Sequence, residues 1–296
     1  MMRTMTTGII AGIAAVVMLS ALPAAQTNAP RSPWRYYPDE VKANVGAGGP
    51  APTRDLTGTW AGGSAGAGRP PNKGMTPAPF TPLGKQLNDK MKPLAIYSPA
   101  GTNDPHVRFC DPVGFPRSTN DENRGMTFGT STGRTILLNM WQNTYREIWT
   151  DGRTLPTDVG GRSRDALDPT YNGYSVGRWV DDYTFAVDTT GLDPATWLSR
   201  GGYPHSVEAV VHERYHRASK NELTLTITMD DPKLYTGTFG LGEMHFRWVP
   251  NQKLLDFTCI PSVTLEYLKD MGDPAGSDPE AARAGRGGRG GRGGPN

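Results

Sequence analysis

The chain has 296 residues with a formal net charge of +2, 20% charged residues and only two cysteines. The small surplus sits at the C-terminal end, where Arg283, Arg286, Arg289 and Arg292 face Asp278 and Glu280, so the remainder is close to neutral. That balance argues against a nucleic-acid-binding or heparin-binding domain face.

Arg3 followed by the uncharged apolar run Gly8 to Leu22, with the small residues Ala24 and Ala25 after it, has the pattern of a cleaved secretory signal over residues 1–25. The run is about 15 residues long, short of the roughly 20 that a membrane-crossing helix needs, so no membrane span is expected. Residues 26–54 read as an extended Pro/Gly-rich arm around Pro33 to Tyr37. Asp55 to Trp60 enters a first strand. Thr81 and Pro82 have the pattern of an N-cap and first helical residue for a short helix reaching Met91. Asn103 to Arg117, pinned by Pro105, Pro112 and Pro116, reads as a rigid brace.

From Thr127 the apolar pattern takes period two. Strands are expected at Thr135–Trp141, Tyr145–Thr150, Tyr174–Val180, Tyr183–Thr189, Val207–Arg217, Glu222–Met229, Phe239–Trp248 and Leu254–Ile260. With βαβ spacing missing, the expected fold is all-β: an antiparallel up-and-down meander closed into a barrel over residues 55–271. Residues 272–296, rich in Gly and Arg, have too few large apolar side chains to order themselves and read as a soluble tail able to touch anionic cell-surface polymers. Cys110 and Cys259 are expected to pair in an exported chain, tying the early part of the domain to its last strand.

Alternation also assigns faces. Leu223, Leu225, Ile227 and Met229 point inward. Glu213 falls inward between Val211 and Tyr215, while His212 and His216 point out. Phe239 to Trp248 offers two faces of similar character. A buried carboxylate needs a partner, and Arg146, Arg178 and His245 are the candidates. The pair is either a structural brace or a pocket group with acid, base or ligand-binding duty. His205, following Tyr203-Pro204, reads as an exposed turn histidine, with a general acid/base at a pocket mouth as the alternative. His205, Glu208 and His212 would share one face of a helix but not of a strand, so neither a metal site nor a cofactor is expected.

Asp55-Leu56-Thr57-Gly58-Thr59-Trp60 resembles the Gly-x-Trp opening of lipocalin-type barrels, in which the Trp plugs the closed end and a late Arg packs over it; that resemblance offers Arg214, Arg217 or Arg247 for the role. Further along, CDPVGFPR, REIWTDGRTLP, YSVGRW with VDTTG, and GYPHSVEAVVHERYHR resemble a family of exported bacterial proteins with a lipocalin-like (calycin-type) domain, which implies a periplasmic or secreted protein cleaved near Ala25. The leading expectation is a binder of a small hydrophobic or aromatic molecule, held in the barrel by Trp141, Trp149, Trp179 and Tyr215 and oriented by Glu213 with Arg146, Arg178 or His245. The alternatives are a lyase, isomerase or hydrolase using Glu213 or His205 for proton transfer, and a structural cell-envelope protein with a packed barrel.

Overall fold

The computed structural model describes residues 48–62, 77–94, 96–97, 101–121, 123–254 and 258–271, with backbone only for residues 267–271. The expected signal segment, nearly all of the arm and the Gly/Arg-rich tail lie outside the described residues. The strands are β1 (Gly58–Gly62), β2 (Met126–Ser131), β3 (Arg134–Asn139), β4 (Thr144–Trp149), β5 (Tyr174–Trp179), β6 (Thr184–Thr190), β7 (Val210–Ser219), β8 (Glu222–Asp230) and β9 (Phe239–Trp248). Each pairs with the next, and β9 returns to β1, so the sheet closes into a barrel. The helices are α1 (Pro82–Asn88), α2 (Pro105–Phe109), α3 (Arg117–Asn120) and α4 (Pro261–Met271).

Nine strands cannot alternate in direction around a closed ring, because an odd count leaves two neighbours running the same way. The mismatch falls between β4 and β5, which pair in parallel through Ile148↔Ser175 and Trp149↔Val176; the other eight seams are antiparallel. A parallel neighbour needs a connection that returns to the starting end, and this explains the long polar segment between Trp149 and Tyr174. The all-antiparallel expectation holds everywhere except this seam.

Two ends follow from the directions. The tight β2–β3, β5–β6 and β7–β8 turns mark the base. The long β1–β2, β6–β7 and β8–β9 connections mark the mouth. At β1, Trp60 is fully buried and its indole N–H donates to the Leu56 carbonyl at 2.9 Å. Arg217 is the arginine over it, 4.9 Å from the ring centroid, and its guanidinium donates to the Asp55 and Lys220 carbonyls. The Gly-x-Trp expectation is met, and the choice among three arginines is resolved.

The core is the inward face of the alternating strands. β8 buries Leu223, Leu225, Ile227 and Met229 and turns Thr224, Thr226 and Thr228 outward. The ambiguity of β9 has a physical cause. Opposite β8, the register slips between Ile227↔Gly242 and Thr228↔Gly240, so Leu241 is an extra residue in a bulge. Phe239 and Leu241 are inward before it, Met244 and Phe246 after it, and each of the two possible faces supplies half of the core.

Other elements depart from expectation. α1 starts as anticipated, with Thr81 Oγ1 accepting from the Gly84 N–H at 3.1 Å, but it ends at Asn88. Gly84 is required there because a Cβ would run into the Leu234 carbonyl oxygen. Trp141 lies beyond the end of β3, in the β3–β4 turn, where Gln142 and Asn143 take positive φ. Among the described residues of the expected strand Leu254–Ile260, none is in a strand. The β1–β9 pairing has already consumed both barrel edges, and the chain leaves the sheet to form α4. Cys110 and Cys259 are disulfide-bonded across 149 residues, with Cα atoms 5.4 Å apart. The bridge thus ties the C-cap of α2 to the segment just before α4, which packs against α2, and not to a last strand.

Candidate functional site

The inward positions of four strands place one charge network in the barrel. Arg146 from β4 and Glu213 from β7 form a doubly hydrogen-bonded pair, Nη1 to Oε1 at 3.0 Å and Nη2 to Oε2 at 2.8 Å. Ser175 of β5 and Thr189 of β6 each accept from Arg146 Nη2 at 3.0 Å, and their hydroxyls are 2.9 Å apart. Tyr215, two residues along β7 and on the same face, donates its hydroxyl to Glu213 Oε1 at 2.6 Å. Every member is buried, and Arg146 and Glu213 are only 2% and 1% exposed. The guanidinium fork and the carboxylate match in geometry, which makes this the strong form of ion pair.

Electrostatics follow from that arrangement. Burial works against the Arg146 charge, but the Glu213 carboxylate outweighs it and holds the guanidinium above its ordinary range. Burial, reinforced by the Glu213 charge, pushes the Tyr215 hydroxyl well above the usual tyrosine value, so Tyr215 stays a donor at any physiological pH.

The mouth side of this network is closed by Phe115, whose ring centroid is 3.5 Å from the Arg146 guanidinium carbon. Phe115 leads through a cis bond to Pro116 into α3, and Arg117, Ser118, Thr119 and Asn120 are all buried. This segment is a polar plug. Arg117 is doubly paired with Asp104, at 2.9 and 2.8 Å, and Asp104 also caps α2 by accepting from the His106 N–H. Asn120 donates to the Leu198 carbonyl, and the Asp121 carboxylate accepts from the Arg200 N–H. Ser118 Oγ, Thr119 Oγ1 and Asn120 Oδ1 are buried without a hydrogen bond among the described residues.

His205 is buried rather than exposed at its turn. Its Nε2 is 2.9 Å from Thr196 Oγ1, and its Nδ1 is 3.1 Å from the Ser206 carbonyl. Burial lowers its pKa, against the Ser206 carbonyl and the charges of Asp231 and Asp193. Ser206 is itself held by Asp231, through its N–H at 2.7 Å and its hydroxyl at 2.8 Å. Thr196 borders a cleft walled by Asp104, His106, Asp111, Arg117 and Trp197, with room for about 10 Å³, about one water molecule. A second groove, between Ser219, Glu222 and Arg247 at the base, is open to solvent.

Of the residues singled out from the sequence, Glu213, Arg146 and Tyr215 come together. Trp179 is half-buried at the edge of the core, 5.2 Å from Phe185. The others lie elsewhere. Arg178 is on the outer face, donating to Asp188 at 2.9 Å. His245 is also outside, 3.1 Å from Glu243. Trp149 is outside between the guanidinium groups of Arg134 and Arg153, at 4.4 and 3.5 Å. Trp141 is at the mouth between Arg124 and His106. Sequence reasoning missed Ser175, Thr189 and Phe115. Alternation marks Ser175 and Thr189 as inward polar residues, a signal that was present; nothing local marks Phe115 as the cover of Arg146. Among the described residues no group of three or more His, Cys, Asp or Glu side chains could hold a metal ion, and no helix is long and apolar enough to cross a membrane.

No family model, curated protein or solved structure matches the chain. Of the fold that the expected resemblance implied, the structure shows the closed barrel.

Proposed function

We propose that this is an exported, non-catalytic protein whose barrel is a sealed scaffold and which acts through its exterior, in the manner of a cell-envelope interaction protein. The carrying observation is the barrel interior: Trp60, Phe128, Leu137, Phe185, Tyr215, Phe239 and Phe246 are fully buried there, and the Arg146–Glu213 pair among them is closed over by Phe115. Both Glu213 oxygens are engaged, so proton transfer to a substrate would first require breaking the Arg146 or Tyr215 bond. The Cys110–Cys259 bridge supports an oxidising compartment. With the N-terminal apolar run and the family resemblance, it favours a periplasmic or secreted bacterial protein with an N-terminal segment removed near Ala25, a barrel domain over 55–271 and a tail from 272.

One observation favours a small-molecule binder instead. A buried ion pair is rarely more stable than well-packed apolar side chains of the same volume, and the Phe115 ring on Arg146 occupies a place that a flat aromatic ligand would fit. The plug carries buried polar atoms without partners among the described residues, each costing about 1–3 kcal/mol, which lowers the cost of displacing it.

Titration with the apolar fluorophore N-phenyl-1-naphthylamine separates the two. A sealed barrel gives no saturable fluorescence rise in native protein. Saturable uptake that is competed by small aromatic molecules and weakened by Arg146→Met would overturn the sealed reading in favour of the binder.

A further inference from the structure

Exposed apolar side chains are concentrated in one place. Among the described residues, the large apolar side chains more than half exposed are Phe109, Tyr145, Ile260, Val263 and Leu265. Tyr145 is on the outer wall of β4. The other four lie on α2, on α4 and on the residue that leads into α4, at the mouth end of the barrel. α2 and α4 pack together, and the Cys110–Cys259 bridge joins them. Thr264 faces that bridge, its Oγ1 lying 3.1 Å from Cys110 Sγ and 3.7 Å from Cys259 Sγ. Val263 and Leu265, one residue to either side on a helix of 3.6 residues per turn, are thereby turned away from it. They are 63% and 55% exposed, and the bridge holds them so.

The size and chemistry of this patch narrow its partner. Four such side chains, about half exposed, offer roughly 300–400 Å², short of the about 800 Å² per partner of a stable protein interface. Ile260, Val263 and Leu265 are aliphatic and have no group to hydrogen-bond a sugar. A small apolar patch suits shallow insertion at a bilayer surface, which holds firmly only with a second, electrostatic contribution. The patch itself does not supply one, because Arg108, 5.5 Å from the Phe109 ring, is offset by Asp111 and Glu266. The sequence after α4 does. Asp273, Asp278 and Glu280 come first; then Arg283, Arg286, Arg289 and Arg292 follow with no further Asp or Glu up to Asn296. Arg283 is within about 40 Å of chain from Met271, close enough for the arginines to meet the same surface. Set apart from the carboxylates in this way, they make a cationic cluster of the kind that an anionic bilayer attracts.

We infer that the α2–α4 pair and the arginines after it form a two-part docking surface for an anionic phospholipid bilayer. Phe109, Ile260, Val263 and Leu265 enter the interface, and Arg283, Arg286, Arg289 and Arg292 meet the headgroups. The apolar part supplies contact with lipid and the arginines supply selection for charge. The inference rests on the reading that the protein acts through its exterior, and names that exterior's partner as a lipid surface.

The test is co-sedimentation of the exported protein, freed of residues 1–25, with sucrose-loaded vesicles of phosphatidylcholine alone and of an equal mixture with phosphatidylglycerol. Affinity for the mixed vesicles is expected to be about tenfold higher or more. The Val263→Ser/Leu265→Ser protein, changed only at exposed positions and checked for an unaltered fold by circular dichroism, is expected to bind them about tenfold more weakly. The Arg283→Gln/Arg286→Gln/Arg289→Gln/Arg292→Gln protein is expected to bind the two vesicle types alike. Equal affinity of the unaltered protein for both vesicle types, undiminished binding of the mixed vesicles by either variant, or tighter binding to dextran sulfate than to the mixed vesicles overturns the inference. Failure of the sealed-barrel reading registers separately, as N-phenyl-1-naphthylamine uptake by the same samples before vesicles are added.

Discussion

Substituting Glu213 by Gln removes one charge from a pair that has no solvent around it. The new amide oxygen can still accept from Tyr215, but the Arg146 guanidinium is then left with Ser175 and Thr189 alone. Breaking one side of a buried pair of this geometry costs about 3–5 kcal/mol. For a domain of this size that corresponds to a fall in Tm of roughly 6–20 °C. The companion protein Arg146→Met/Glu213→Gln has no buried charge at this position and is expected to recover at least half of the loss. Urea unfolding followed by tryptophan fluorescence, with the disulfide intact, reads both values by linear extrapolation. A single-variant loss below about 1 kcal/mol, or a double variant less stable than the single, would refute the reasoning that desolvation of an unpaired charge dominates here.

Three further outcomes follow from the same structure. Reducing Cys110–Cys259 is expected to release α4 to proteolysis while the near-ultraviolet circular dichroism of the barrel persists, because the bridge joins two peripheral segments; loss of both together would show that the bridge supports the sheet. Gly177→Ala places a Cβ 2.5 Å from Phe185 Cζ and 2.7 Å from Ile148 Cγ2, so stability in urea should fall by about 1–3 kcal/mol as overpacking does, and an unchanged midpoint would contradict the packed interior. The Asp188–His212 pair gives a pH signature. The hydrogen bond to Asp188 raises the His212 pKa, so its contribution is present below about pH 6.5 and fades as pH rises through the raised value. The same bond lowers the Asp188 pKa, so its contribution is present above about pH 4 and fades as pH falls through the lowered one. Both groups are partly solvated, so Asp188→Asn should flatten the stability profile by less than about 1 kcal/mol.

The sequence was legible where one face of a strand is wet. β8 alternates without exception, and β7 placed Glu213 inside and His212 and His216 outside, as found. Alternation assigns a face but not a neighbour across the barrel, and for that reason Arg146, Arg178 and His245 stood as equal partners for Glu213. Only Arg146 is inward on a strand facing β7 through the interior. β9 was unreadable because one bulged residue at Leu241 exchanges its two faces. The plug was missed for a different reason. Arg117, Ser118, Thr119 and Asn120 have the composition of a surface loop, and their burial comes from tertiary bonds to Asp104, Leu198 and the barrel mouth, which local pattern does not encode. The turn at His205 likewise reads as exposed because the β6–β7 connection folds back over it.

The odd strand count also bears on how the barrel is assembled. Strands β1–β4 and β5–β9 are each an uninterrupted run of neighbours, and they meet along two lines, the short parallel seam and the β1–β9 edge. Arg146 belongs to the first run and Glu213 to the second, so their bond spans the interior from one half to the other. Slipping either half by one residue turns its charge to the opposite face, and slipping by two moves it out of reach. Each misaligned closure would leave a buried charge unpaired. The pair thus marks the join between the two runs of strands, because a wrong alignment leaves a charge buried without its partner.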